Sequence, residues 1–316
     1  MALRNVTVFG GSGFLGRHLV RRLAQTGARI RVAVRDPEAA AFLKPMGDVG
    51  QIVSMLANVR NQASVARAVE GAEAVLNLVG ILSQWGGQRF DAVQGEGAGN
   101  VAAASAAAGV GRLVHVSAIG ADADATSAYA RSKAVGEVAV AEAFPGATIV
   151  RPSVIFGPED SFFNLFGALL PFTPVLPLIG GGQTRFQPVY VGDVAEAMQR
   201  ILERPESAGQ TFELGGPRVY TFEELMRLIL EVTGRRRFLV PVPFAVAKFE
   251  ATFLQLWPEP ILTRDQVELL RHDNVAAEGA PGFEALDIAP HAAEAMLESY
   301  MYRYRRAGKR IARHLA

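Results

Sequence analysis

The sequence predicts an α/β fold built on a doubly wound parallel sheet, with a smaller, mostly helical C-terminal lobe. Three observations predict it. A glycine-punctuated strand, turn and helix opens the chain, strand and helix signals then alternate through its first half, and helical periodicity dominates the remainder. With 316 residues, 50% of them hydrophobic and 20% charged, the chain is long and apolar enough for one large core and a second, smaller one. The division expected is a nucleotide-binding domain over residues 1–150 and a C-terminal lobe over residues 151–316, the lobe returning discontinuously to the first core and ending in a basic tail.

The opening run reads Val6-Thr-Val-Phe-Gly10-Gly-Ser12-Gly13-Phe14-Leu15-Gly16. A β-branched strand turns here into an amphipathic helix over residues 14–27, the context that makes this glycine spacing a Rossmann-like dinucleotide fingerprint. Gly10 must turn without a Cβ, Gly13 must let a pyrophosphate approach the backbone, and Gly16 must let helix and strand pack closely. The helix N-terminus offers N–H groups and partial positive charge to the phosphates, so Gly10, Ser12, Gly13, Phe14, Leu15 and Gly16 are assigned to the cofactor. The second strand, residues 28–34, ends at Arg35-Asp36. An acid there binds the 2′-hydroxyl of NAD, whereas a guanidinium forks onto the 2′-phosphate of NADP. Arg35, with Arg17 and Ser12 beside it, favours NADP(H) over NADH; the competing reading is a solvated loop arginine next to a turn aspartate.

Further strands are expected over residues 50–55, 74–78, 113–116 and 148–150, and helices over 64–69, 90–108 and 127–144. The 90–108 helix carries Gly95, Gly97 and Gly99, poor helix formers that predict close packing against the sheet or the cofactor. Residues 165–182 are uncharged, but Pro171, Pro174 and Pro177 cannot sustain one spanning helix. The stretch reads as a helix followed by an apolar loop near the cofactor cleft.

Tyr129 and Lys133 stand four apart, one turn apart on one helix face. In that geometry the ammonium lowers the phenol pKa and holds the nicotinamide ribose, while the tyrosine exchanges a proton with a carbonyl or alcohol. The spacing alone is common; its place after the fifth strand of a glycine-fingerprint domain gives it weight.

With these motifs the chain resembles the short-chain dehydrogenase/reductase superfamily, in its extended or atypical NAD-dependent epimerase/dehydratase branch. The resemblance extends to Asn77-Leu78-Val79-Gly80, Arg151-Pro152-Ser153 with Phe156-Gly157-Pro158, and Gln187-Pro188-Val189-Tyr190-Val191-Gly192-Asp193. YARSKAVGE from Tyr129, IFGPEDSFFN from Ile155 and QPVYVGDV from Gln187 are most similar to the complex I alpha-subcomplex subunit 9 type, the nucleotide-binding accessory subunit of NADH:ubiquinone oxidoreductase, and its bacterial relatives. The resemblance implies further cofactor contacts at Asn58, Val79, Gly80, Ser117, Tyr129, Lys133, Pro152, Ser153 and Ile155, and a catalytic Tyr129 and Lys133 that are vestigial or cofactor-positioning. Two departures stand out. Active members end the fifth strand in consecutive hydroxyl residues, but His115-Val116-Ser117-Ala118 places Ala118 where the polarising hydroxyl belongs, and Ser117 serves only if the register shifts by one. Asn58 stands where relatives carry an adenine-binding aspartate, though it can still hydrogen-bond.

The absence of cysteine excludes disulfides, thiolate metal sites and a cysteine nucleophile. His18, His115, His272, His291 and His314 show no metal spacing, so no metal is expected. The chain begins directly on strand residues, and no secretory signal or transmembrane helix is expected. Asp193 reads as a helix cap before it reads as a substrate contact, and Glu159 and Asp160 as cleft-lining acids or a solvated helix start. In residues 242–257 Phe244, Phe249 and Phe253 share roughly one face, read as buried against the core, the alternative being a surface that meets a membrane or partner subunit. Arg303, Arg305, Arg306, Lys309, Arg310 and Arg313 form a local basic patch on a chain of net charge +1, suited to acidic protein surfaces or anionic lipid rather than to nucleic acid.

Two functions follow. One is an NADP(H)-binding, non-catalytic accessory or assembly subunit of respiratory complex I, held peripherally on the cytoplasmic side of the inner membrane by its basic tail. The other is an active NADP-dependent reductase, epimerase or dehydratase on a sugar-like or isoprenoid carbonyl. Ala118, the apolar 242–257 segment and the tail favour the first; intact Tyr129 and Lys133 favour the second.

Overall fold

A computed structural model describes residues 3–257 and 260–305. In chain order its elements are β1 (Asn5–Phe9), α1 (Phe14–Gln25), β2 (Arg29–Val34), β3 (Ile52–Leu56), α2 (Gln62–Val69), β4 (Ala74–Asn77), α3 (Glu96–Ala107), β5 (Arg112–Val116), α4 (Ala128–Ala143), β6 (Thr148–Pro152) and β7 (Ile155–Phe156). Then follow α5 (Phe163–Leu169), β8 (Val175–Ile179), β9 (Arg185–Phe186), β10 (Val189–Tyr190), α6 (Val191–Glu203), β11 (Thr211–Leu214), β12 (Tyr220–Thr221), α7 (Phe222–Thr233), β13 (Phe238–Val242), α8 (Phe244–Leu254), α9 (Arg264–Leu269) and α10 (Ala293–Met301).

Seven parallel strands form the main sheet in the order β11-β6-β5-β4-β1-β2-β3. β1 is buried on both faces, as a strand covered by helices on either side must be, and Val6, Val8 and Phe9 supply the apolar run. The chain leaves β1 toward β2 and β3, then returns to β4 on its other side, so a crevice opens at the strand ends between β1 and β4. One face of the sheet packs on α1 and α6, the other on α2, α3 and α4. Both α6 and β11 come from the second half of the chain, as do Phe283, Leu286 and Ile288 in the same core. The lobe has its own core, in which Phe156, Phe163, Leu176, Phe222 and Ile229 meet Leu297, Tyr300 and Met301.

The glycine-rich helix begins with a π-helical turn at Asp91–Gly95 before α3. Its glycines fit the packing expectation: a Cβ on Gly97 would lie 2.8 Å from Val59, and one on Gly99 3.2 Å from Ala139 of α4. Opposite them, a Cβ on Gly136 would lie 2.1 Å from the Gln94 carbonyl oxygen.

Two expectations are corrected. Residues 165–182 are not a helix and an apolar loop beside the cleft. After α5 the chain forms β8, a parallel partner of β13 within the lobe, because single prolines such as Pro177 sit in a two-stranded sheet without breaking it. In α8 the phenylalanine stripe is not the buried face. Ala247 and Ala251 pack inward on Val267, while Phe249 and Phe253 are 67% and 55% exposed. The tail's first residues dock on their own lobe: the Arg303 guanidinium donates to the Pro158 carbonyl at 2.9 Å and that of Arg305 to the Val232 carbonyl at 2.8 Å. Arg306, Lys309, Arg310 and Arg313 lie outside the described residues. Among the described residues, no helix is long and apolar enough to cross a membrane.

Candidate functional site

Because the main strands are parallel, the segments following β1 to β6 all emerge at one edge of the sheet. They bring together Gly10–Gly16, Arg35, Asn58, Val79-Gly80, Ser117 and Pro152-Ser153, whose sequence positions span most of the first half of the chain. Gly10 has φ +76°, a conformation that favours glycine, and a Cβ there would approach the Leu78 carbonyl carbon to 3.3 Å. On Gly16 a Cβ would fall 2.4 Å from the Gly10 carbonyl oxygen, so this glycine seats α1 against its own turn. Gly13 provides no side-chain cap. The first-turn N–H groups of Phe14, Leu15 and Gly16 therefore remain for an anion, which is the fit a pyrophosphate requires.

At the end of β2 the Asp36 carboxylate accepts the N–H groups of Glu38 and Ala39, each at 3.0 Å. The acid is engaged in its own turn, and exposed Arg35 is the charged group presented beside it. Arg17 lies back along the glycine loop, stacked 5.0 Å from the centroid of Phe42 and donating to the Gly13 and Ser12 carbonyls at 3.4 and 3.5 Å. The Asn58 side-chain oxygen accepts the Arg60 N–H at 3.1 Å, which turns its amide nitrogen end to any adenine.

Tyr129 and Lys133 occupy the expected face of α4. The Tyr129 ring meets Phe90 edge-on at 5.8 Å, and Lys133 Nζ stands 5.9 Å from the ring centroid and donates to the Val116 carbonyl at 3.1 Å. Gly80 keeps this ammonium accessible, since a Cβ there would lie 3.4 Å from it. Burial pulls the Lys133 ammonium down to about 8, opposed by the Glu137 carboxylate. The expectation of an ammonium-lowered phenol is reversed in this chain without its cofactor: burial, then the Asp265 carboxylate, push Tyr129 up to about 12. His115 is buried beside them and held near 3, by burial first and the Lys133 charge second, so it is neutral; its Nδ1 accepts from Asn77 Nδ2 at 3.2 Å.

Ser117 donates its backbone N–H to the Val150 carbonyl at 2.7 Å, and its hydroxyl is buried with no hydrogen-bond partner among the described residues. The next residue, pointing the other way along the extended chain, is Ala118. Ser153 is buried, and its hydroxyl donates to Asn274 at 2.7 Å rather than facing the crevice. Half-buried Ile155 lies beyond it, paired with Val189. Asp193 neither caps α6 nor faces substrate: its carboxylate accepts the His291 N–H and meets the His291 ring Nδ1, both at 2.7 Å. Glu159 pairs with His18 at 3.0 Å, and Asp160 is buried, accepting from the Tyr300 hydroxyl at 2.6 Å. Among the described residues no cluster of metal-ligating side chains forms.

Three residues have no signal in the sequence. Gln94, delivered by the π-helical turn, donates to the Ser132 hydroxyl at 2.8 Å and accepts the Ile81 N–H at 3.3 Å beside Gly80. Asn274 binds Ser153 and the Val154 N–H, and Asp265 binds the start of α4. Only Gln94 lay within a region the glycines had marked for close packing.

Residues 6–215 match the model of the NAD dependent epimerase/dehydratase family. The chain is 36% identical over 314 residues to the mitochondrial NADH dehydrogenase (ubiquinone) 1 alpha subcomplex subunit 9 of Arabidopsis thaliana, covering 96% of this chain and 78% of that one. It is 34% identical over 240 residues to a ceramide reductase of Caulobacter vibrioides, covering 75% and 73% respectively. In structure it is similar to a dTDP-glucose 4,6-dehydratase from Streptomyces venezuelae, with a TM-score of 0.71 at 20% identity over 95% of this chain and 96% of that one.

Proposed function

The chain belongs to the NAD dependent epimerase/dehydratase family, and from that premise we propose that it is an NADP(H)-binding accessory or assembly subunit of respiratory complex I with no turnover of its own. The observation that carries this reading is the match to the alpha subcomplex subunit 9 along almost the whole chain. The site agrees with it. The first turn of α1 holds the pyrophosphate, Arg35 takes the 2′-phosphate, and Lys133 donates to the nicotinamide ribose. A bound nicotinamide supplies or accepts hydride. The proton side of such an exchange is poorly served, because Ala118 offers no hydroxyl to polarise a substrate oxygen and Tyr129 is a weak acid. Loss of one such donor costs typically a hundredfold or more in rate. The protein is placed on the cytoplasmic side of the inner membrane, held peripherally.

The test is to solubilise membranes of the native host, isolate complex I through another subunit, and probe for this chain. Co-isolation with bound NADPH is expected; its absence from a complex that is otherwise whole overturns the reading. A second reading, an active NADP-dependent reductase, epimerase or dehydratase, is favoured by the intact Tyr129 and Lys133 pair and by the ceramide reductase relative. Rapid, substrate-dependent NADPH consumption abolished by Tyr129→Phe distinguishes it.

A further inference from the structure

Thr263 and Gln266 form a reciprocal capping box at the start of α9, so that N-terminus is satisfied without Asp265. The Asp265 side chain, in the first turn, reaches across to α4 instead. Its Oδ1 accepts the Ala128 N–H at 2.7 Å, and its Oδ2 accepts the Tyr129 N–H at 3.1 Å and the Ser127 hydroxyl at 2.8 Å. Ser127 is itself the cap of α4, accepting the Ala130 N–H at 3.2 Å. Two helix N-termini thus share one anion, which both dipoles stabilise, and first-turn N–H groups of α4 otherwise left to water are engaged. The contact crosses from the lobe to the nucleotide-binding core and ends on the backbone of the one tyrosine in the crevice.

We propose that Asp265 is a positioning residue for Tyr129, the contact through which the C-terminal lobe fixes the first turn of α4, and the phenol with it, at the cofactor crevice. Hydrogen bonds alone would make it a helix cap. Its charge does more, because after burial it is the second cause of the raised phenol pKa. The other charged group facing the ring is Lys133 on the same helix; the neighbour across the crevice, Phe90, is uncharged. A carboxylate held at this place therefore sets both where the tyrosine stands and how firmly it keeps its proton.

The experiment uses the full chain with fluorotyrosine in place of tyrosine, so that the phenols ionise where the fold survives, and follows them by fluorine NMR without cofactor. The Tyr129 resonance is assigned by its loss in Tyr129→Phe. In Asp265→Asn the Tyr129 midpoint is expected to fall by about one pH unit, the order of effect of removing a nearby like charge. In Asp265→Ala, NADPH affinity is expected to fall severalfold, with Asp265→Asn intermediate because its amide oxygen still accepts the Ala128 N–H. If both variants only lower the melting temperature, leaving the midpoint and the affinity at wild-type values, Asp265 is a structural cap and the proposal is overturned. Should Asp265→Ala not fold, Asp265→Asn decides. The affinity arm rests on the dinucleotide reading of the crevice, whereas the titration does not: a wild-type chain that binds no NADPH would remove that reading and leave Asp265 to be judged on the midpoint.

Discussion

Arg35 and Asp36 are neighbours with opposite charges, and the backbone decides between them. Asp36 is engaged with two N–H groups of its own turn, so the guanidinium is the group left for the adenosine end of a cofactor. NADPH is accordingly expected to bind about ten- to a hundredfold more tightly than NADH, the worth of one phosphate–guanidinium fork, and Arg35→Ala to erase the difference. Titration of both cofactors against both proteins checks this, and equal affinities in the wild type refute it. Lys133 yields a prediction on pH. Its pKa falls from 10.5 unfolded to about 8 folded, so between those values the unfolded chain binds more protons and stability rises with pH. Melting curves of wild type and Lys133→Met across that window should show the rise only in the wild type; parallel curves would mean the ammonium is not desolvated. The residues legible in advance were those whose role is local: Gly10 through its turn, Gly16 through helix packing, Tyr129 and Lys133 through spacing. Asp265 was illegible because its partner Ala128 lies 137 residues away.

A helix reports its faces in sequence but not which face turns inward. In α8 the phenylalanines and the alanines both recur at helical spacing, and the smaller side chains won the core because α9 approaches closely there. Replacing Phe249 and Phe253 together by serine should leave the melting temperature nearly unchanged; a drop of several degrees would return them to the interior. The glycines of α3 were read correctly as packing residues, yet their closest partner was hidden in α4. Gly136→Ala drives a methyl into the Gln94 backbone and should cost about 1–3 kcal/mol, as overpacking does, measurable by denaturant unfolding. The π-helical turn that sets up this contact has no periodicity to betray it. Neither does β8, where prolines disguised a strand whose partner β13 comes some sixty residues later.

Across the whole molecule the C-terminus is part of the architecture before it is an attachment. Tyr300 and Met301 are buried in the lobe, so a chain ending at Glu298 should unfold the lobe, whereas one ending at Arg305 keeps it and removes only the remaining cations. Each cation near an anionic membrane contributes roughly 1 kcal/mol, so the full chain should stay with membranes at low salt and leave as salt rises, and the chain ending at Arg305 should need less salt to leave. Identical release of both forms would exclude the tail as an anchor. The sheet carries a separate consequence, for synthesis. Its edge strand β11 pairs with β6, α6 covers one face, and Phe283, Leu286 and Ile288 close that core, so the nucleotide-binding half lacks walls until almost the entire chain has been made. A ribosome-bound fragment of the first 150 residues would carry every glycine of the fingerprint and still expose a naked face of its sheet, a client for chaperones rather than a finished domain. Maturation is thereby timed to termination of translation, and any cofactor is captured by a completed polypeptide.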